Sequence, residues 1–404
     1  MRRALVPLSA RRMLVCALLS SLAALAGCAA ATPTVAPAPT SAPASAPASV
    51  AAVPRSVGTP LPGLPPVADP HNIYAAAGAG MLSDAARAAR PMIYVPHTKT
   101  GEVWTIDPAT FAVVGRYRLA GELQHVVPSW DMTTLYASND TGNLLTPFDP
   151  RTGLPGRPIP VTDPYNLYFT PDGKSAISVA EARRELVFYD PHTWAVQQTL
   201  ATPECAGIDH ADVTPDGRTA VFTCEFAGRV AVIDVVGRRV LRMIDMPIRH
   251  TTMGPQDIKL APDGSVFYVA DSQEGGVWVL DGAATKVLRV IPTGRGAHGL
   301  YLSRGANRLF VTNRLEGTVS VLDAYTGAVQ TTWRIGEHAS PDMGNVTADG
   351  TQLWLSGRYD HAVYVLSTVD GHLIKQIEVG NGPHGLCVWP QPGRYSLGHT
   401  GITR

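Results

Sequence analysis

The sequence predicts an all-β fold, a seven-bladed β-propeller closed by pairing of the C-terminal strand with the N-terminal blade. Three observations carry this. A short apolar strand ending in Ser/Thr-Pro-Asp-Gly, or a worn version of it, occurs seven times, with turn markers at Trp130, Pro171, Pro215, Pro262, Arg304, Ala348 and Pro390. The markers stand 41 to 47 residues apart, the period of one four-stranded blade. The first repeat, Met92 to Leu119, has second, third and fourth strands but no first, whereas an unpartnered first strand, His384 to Pro390, follows the last repeat. Pairing the two ends removes the exposed edges and locks the circle.

The clearest repeat shows how one blade is built. His298 to Ser303, Arg308 to Asn313, Thr318 to Asp323 and Ala328 to Ile335 are runs of β-branched and aromatic residues, and Gly, Asp, Asn and Arg punctuate them. No segment between the runs is long enough for a crossover helix, so the four strands are antiparallel neighbours.

The parts flanking the repeats read differently. Residues 1–27 place Arg2, Arg3, Arg11 and Arg12 before an apolar stretch, Met13 to Ala26, too short to span a bilayer, which is the pattern of a secretory signal. Residues 28–66 are mostly Ala, Pro, Ser, Thr and Val without hydrophobic periodicity, the composition of a disordered, proline-stiffened tether. Residues 67–90 form an extension with one short helix, capped by Ser83 ahead of Asp84, expected to pack on an end or side of the ring. The propeller occupies 91–390, and the tail 391–404 lies outside the repeat with no assigned role.

The strings Phe310-Val-Thr-Asn313, Tyr268-Val-Ala-Asp271, Gly317-Thr-Val-Ser-Val-Leu-Asp323 and Val379-Gly-Asn-Gly-Pro-His-Gly385 resemble the repeats of YVTN-type β-propeller proteins, first met in archaeal surface-layer proteins. The resemblance covers roughly Pro91 to Pro390, and the copies near Trp130 and Arg304 depart from its Pro-Asp-Gly turn. It implies the fold, while the superfamily includes lactonase-like and quinoprotein dehydrogenase-like members as well as binders. Leu25-Ala26-Gly27-Cys28 resembles the bacterial lipobox, which implies cleavage before Cys28 and diacylglycerol on its thiol. More than one acyl chain gives stable anchoring. The expectation is therefore a lipoprotein member exported to the extracytoplasmic face of a bacterial membrane, the outer one where there are two, because Ala29 is not a retention aspartate.

Composition excludes some functions. Without the four signal arginines, 29 basic and 33 acidic residues remain and no basic stripe appears, so no nucleic-acid partner is expected. A monomer is expected. Cys205 and Cys224 fall at the same end of one blade on neighbouring antiparallel strands, where a disulfide is expected outside the cytoplasm. Cys387, mid-strand, reads as a small core residue. There is no Gly-x-Ser-x-Gly elbow, phosphate-cradling loop, His-Glu-x-x-His or haem-attaching Cys-x-x-Cys-His.

Stacking the repeats brings chemistry into register. The residue six before each marker is Gln124, Tyr165, Asp209, Gln256, His298, Asp342 or His384, and the next is His125, Asn166, His210, Asp257, Gly299, Met343 or Gly385. Both rows start the innermost strands at one mouth of the channel, where second-strand ends add His97, Asn139, Glu181, Glu225, Asp271, Asn313, Arg314 and Arg358. The ligand-binding candidates are His125, His210, Asp257, His298, Asp342, His384, Arg314 and Arg358. His298, Asp342 and His384 share one register on consecutive blades and suit a divalent metal; Arg314 and Arg358 suit an anionic or sugar-like ligand. The competing reading makes these residues solvated channel groups or clamps between blades, with Asp342 the strongest clamp. The other histidines, His71, His192, His250, His338, His361, His372 and His399, are read as loop residues.

The leading expectation is a non-enzymatic, lipid-anchored binding or scaffold protein recognising a protein, an envelope component or a small ligand at the mouth. It needs no cofactor, and a divalent metal at that triad is the one addition the residues suit. The alternative is a metal-assisted lactonase-like hydrolase or a propeller enzyme around a redox cofactor, which rests on fold analogy. Cys28→Ala should move the protein from the membrane fraction to the soluble one; a variant retained on the membrane after a salt wash would show another anchor.

Overall fold

The structure is a computed structural model that describes residues 60–404. Residues 1–59, with the signal segment, Cys28 and most of the tether, lie outside the described residues. Among those described, strands form seven antiparallel sheets around a ring, with the closing strand Cys387–Trp389 beside Met92–His97 in the first. The register Met92↔Trp389, Ile93↔Val388 and Tyr94↔Cys387 joins chain ends almost three hundred residues apart.

Burial follows position in the blade. Inner strands such as Ile208–Val213 and second strands such as Val266–Asp271 are buried on both faces, whereas outer strands such as Val196–Ala201 are largely exposed. Blades stack face to face, so each apolar layer belongs to two neighbours: Tyr168, Phe188 and Phe222 fill one junction, and Ile93, Trp354 and Val388 fill the junction across the ring closure. The recurring turn is self-bonded, as where the Thr214 hydroxyl donates to Asp216 at 2.6 Å and Gly217 adopts φ +73°. Cys205 and Cys224 form a disulfide, with Cα atoms 4.9 Å apart, and Cys387 is a buried free thiol.

Two segments differ from the sequence reading. The boundary of the tether at 66 is too late: Leu61 is buried, and its N–H donates to the Asp216 carbonyl at 2.8 Å. From there the chain tracks over the turn face of the ring, where Ile73 N–H reaches the Pro262 carbonyl and Gly80 N–H the Ala348 carbonyl, each at 2.8 Å. Leucines at 61 and 64 supply apolar contact that the surrounding prolines conceal. The short helix is Asp84–Arg87; Ser83 accepts the Ala86 N–H at its start, and Ala86 is fully buried against Met92, Tyr94 and Phe148.

The tail is the larger correction. Residues 391–404 are buried except Arg394 and fold into a small hairpin, Ser396–Gly398 with Ile402–Thr403, that joins the third blade through Gly398↔Tyr168. Ser396 N–H donates to Trp130 O at 2.9 Å, Asn345 Nδ2 to Gly401 O at 3.2 Å, and Thr400 Oγ1 to Gly344 O at 3.3 Å, so the tail ties opposite blades together across the turn end of the channel. Its last residue, Arg404, is anchored 2.5 Å from the Asp212 carboxylate with its guanidinium over the Tyr74 ring. The tail has no repeat partner, so its role is invisible to periodicity.

Ending the chain at Pro390 removes the buried side chains of Tyr395, Leu397 and Ile402, each worth ~1.5–3 kcal/mol, uncovers the apolar residues that they pack against, and should drop or abolish the thermal transition. Arg404→Ala alone should cost ~3 kcal/mol by leaving a buried carboxylate unpaired. A truncated chain that melts with wild type would remove the tail from the fold's support.

Candidate functional site

The two rows of inner-strand residues sit in a repeated backbone irregularity. The inner strands carry one extra residue relative to the second strand between Leu123 and Val126, Ile208 and Ala211, Pro255 and Ile258, Ala297 and Leu300, and Pro341 and Gly344. Such a bulge redirects side chains, and here it turns both rows toward the axis. The backbone N–H left without a ladder partner is met by a hydroxyl of the second strand: His125 N–H by Ser138, His210 by Thr223, Gly299 by Thr312 and Met343 by Ser356, at 2.7 to 3.2 Å. The recurrence of Ser or Thr at these second-strand positions is a signal present in the sequence that the reading of charged residues alone passes over.

Gln124, Tyr165, Gln256, His298 and His384 of the first row line an open cavity of about 560 Å³, together with Glu181, Glu225, Arg314 and Arg358, while Asp209 and Asp342 do not line it. Phe226 and Tyr359 stand at its rim, 44% and 54% exposed. The opposite end holds, beside the tail, a smaller crevice of about 40 Å³. The floor of the mouth cavity is drier than a solvated funnel: His298 and His384 are 2% exposed and Asp342 is fully buried.

His298, Asp342 and His384 come together at this floor, one potential ligand atom from each lying within 4.8 Å of the others. His298 Nδ1 is 3.3 Å from Asp342 Oδ1 but outside hydrogen-bond geometry, and His384 Nε2 is 3.6 Å from Asp342 Oδ2. Arg314 donates to Asp342 Oδ1 at 3.0 Å, so Asp342 does bridge blades as a clamp. Burial holds both imidazoles well below the ordinary histidine range, with the neighbouring guanidiniums pushing the same way. Burial raises the Asp342 carboxyl, and Arg314 and then Arg358 pull it back. Desolvation, reinforced by Glu225, lifts Glu181 to about 8.

Beneath lies a second layer. His125, His210 and the tail's His399 pack ring against ring, with centroids 4.5 to 5.4 Å apart. His399 is therefore a channel residue and not the loop residue that its place outside the repeat suggests. Asn166 Nδ2 is 3.1 Å from His210 Nδ1 and 3.0 Å from His399 Nδ1, while its Oδ1 accepts the Leu167 N–H. Asp257 accepts the Ile258 and Leu300 N–H groups, one on each oxygen, both at 2.8 Å. It is committed to joining its blade to the next, which leaves it a poor ligand candidate. His125 likewise lies below the cavity floor, fully buried under Gly385, where any Cβ would overlap its ring. Of the second-strand ends, His97, Asn139, Asp271 and Asn313 are occupied with local backbone or side-chain bonds and do not line the cavity.

A family model of YNCE-like β-propellers matches residues 248–392. No curated protein matches the chain. Among solved structures, the hydrazine synthase of Kuenenia stuttgartiensis is 19% identical with TM-score 0.55, covering 64% of this chain and 87% of its own. A functionally unknown protein from Desulfotomaculum acetoxidans is 15% identical with TM-score 0.60, covering 74% and 99%. Dihydro-heme d1 dehydrogenase NirN, solved with DHE, is 16% identical with TM-score 0.55, covering 82% and 79%. Identities this low show a shared propeller fold.

Burial pushes His210 down to about 3, whereas in the unfolded chain it takes up its proton near 6.5. Its stabilising contribution is complete above pH 6.5 and is lost as pH falls toward 3. Relative to His210→Gln, wild type should lose ~1.4 kcal/mol per pH unit below 6.5, read from urea midpoints at pH 7, 6 and 5. A pH-independent difference would mean that the ring takes up its proton in the fold as readily as in the unfolded chain.

Proposed function

We propose that the protein is an exported, lipid-anchored propeller that binds a small polar ligand, sugar-like and carrying an acid group, at the mouth that holds this cavity. The observation that carries this is the convergence of unspent polar groups on one cavity. Arg358 Nη1 and Arg314 Nε are buried without hydrogen-bond partners, and buried donors of this kind are costly unless something completes them. A guanidinium presents a planar fork that matches a carboxylate or phosphate. Glu181 and Glu225 line the opposite part of the cavity, where hydroxyl groups of a ligand would find acceptors. Phe226 and Tyr359 at the rim offer faces for the apolar side of a sugar ring. Acylation of Cys28 would hold the disk at the extracytoplasmic surface of the membrane. The geometry needs no catalytic step for this role. A hydrolytic reading draws on the His298–Asp342–His384 group at the same floor, and turnover of a sugar lactone by wild type, absent in His384→Gln, would favour it.

Glucuronate should raise the melting temperature of wild type, and glucose should not. Arg358→Ala should weaken glucuronate binding roughly 10- to 100-fold, the loss of a charge-assisted bond worth ~1.5–3 kcal/mol, with little change in the unliganded melting point. Equal response to both sugars, or none to either, would contradict this ligand class.

A further inference from the structure

We propose that His298, Asp342 and His384 bind one divalent transition-metal ion at the floor of the mouth cavity, and that an anionic oxygen ligand entering from the cavity completes its coordination. The three residues come from blades six, seven and one, consecutive around the closed ring. The decisive detail is Gln124. Its Nε2 donates to the Asp140 carboxylate at 2.9 Å, which fixes the amide so that Oε1 faces His384 Nδ1 at 3.1 Å. That oxygen can only accept, so the proton of the neutral imidazole sits on Nδ1. The Nε2 lone pair then points to Asp342 Oδ2, 3.6 Å away, with no hydrogen between them. Two buried acceptors facing one another is an arrangement that a cation resolves.

The neighbours fit the same assignment. Asp342 Oδ2 and His298 Nδ1 are buried with no hydrogen-bond partner, while Arg314 occupies Oδ1 and thereby orients the carboxylate. An amide oxygen on the distal N–H of a ligating histidine, and a donor on a ligating carboxylate, are the outer contacts that position metal ligands. Two imidazoles, one carboxylate and one open side match a site that keeps an exchangeable position. Arg314 offsets the charge of Asp342, so a bound dication carries its full excess positive charge toward the cavity. With Arg358 also lining that cavity, the charge near the ion favours an anion as the fourth ligand. The deeper group His210, Asp257 and His399 has similar composition but opposite wiring. Asn166 Nδ2 donates to both imidazoles at Nδ1, which puts their protons on Nε2, and both Asp257 oxygens already accept backbone N–H groups.

The proposal rests on the reading of the mouth as a binding site for the fourth ligand alone. Detergent-solubilised full-length protein, stripped with a chelator, is titrated with Co²⁺ and followed by visible absorption. One equivalent should bind with the bands of four-coordinate nitrogen and oxygen ligation, and glucuronate or inorganic phosphate should shift them. His298→Gln and His384→Gln should each weaken cobalt binding by more than 10-fold, and Gln124→Leu by about 10- to 100-fold as an outer contact. The His210→Gln/His399→Gln double variant should bind as wild type does. Each variant is checked for an intact melting transition. Absence of stoichiometric cobalt, or cobalt retained in a folded His298→Gln/His384→Gln double variant, overturns the site. Cobalt bound with a spectrum that neither anion moves keeps the metal and overturns the anionic fourth ligand. Arg358→Ala separates the two readings: it should bind cobalt normally while losing affinity for glucuronate.

Discussion

The pairing of Cys387–Trp389 with Met92–His97 is the contact on which the candidate site depends. It turns a linear series of blades into a circle, and only in the circle does the segment just before the closing strand fall between the first and second blades. There His384 N–H donates to the Pro96 carbonyl at 3.0 Å, Gly385 N–H to Gln124 O at 2.9 Å, and Val126 N–H to Gly385 O at 3.1 Å. These bonds bring His384 against Gln124, 260 residues earlier, and complete the triad with His298 and Asp342. Ring closure and site assembly are thus one structural event. Loss of the closing strand would expose two sheet edges and scatter the site with them.

A second constraint shapes the axis. Seven inner strands converge on a narrow space, and their bulges direct polar side chains into it. Each such group must find a partner away from water. Hydroxyls at Ser138, Thr223, Thr312 and Ser356 satisfy the bulged N–H groups. Asp257 and Asp212 accept backbone N–H groups from the following blade, Leu300 and Leu260, and Tyr168 and Tyr301 do the same for Ala211 and Gly344. The tail closes the turn end, placing His399 on the deeper histidine layer and Arg404 on Asp212. The polar atoms that remain unsatisfied are correspondingly informative: several of them, His298 Nδ1, Asp342 Oδ2, Arg314 Nε and Arg358 Nη1, gather at the mouth.

The fold was legible because a propeller writes its period into the chain: seven worn copies of one turn, spaced 41 to 47 residues apart, and one surplus strand. The alignment of His298, Asp342 and His384 was legible for the same reason, since equivalent positions in successive repeats must meet at the axis. What periodicity could not reach was everything outside it. The tail has no second copy to be compared with, and nothing in its spacing shows that Gly393, Gly398 and Gly401, at positive φ, let it pack against Thr403, Leu167 and Gln391. Leu61 sits in a run of prolines and glycines that dilutes its apolar signal. The separate fates of Asp342 and Asp257, one with a free oxygen and one with none, depend on hydrogen bonds between blades that no spacing rule contains.

The C-terminal segment is an integral part of the ring: it closes the first blade and packs its tail across the turn end of the channel. Native-state hydrogen exchange on the full-length protein tests it directly. Amides of residues 384–404 should exchange as slowly as those of the inner strand Ile208–Val213 and through the same global opening. Rapid exchange of that segment, with the blades still protected, would contradict the account.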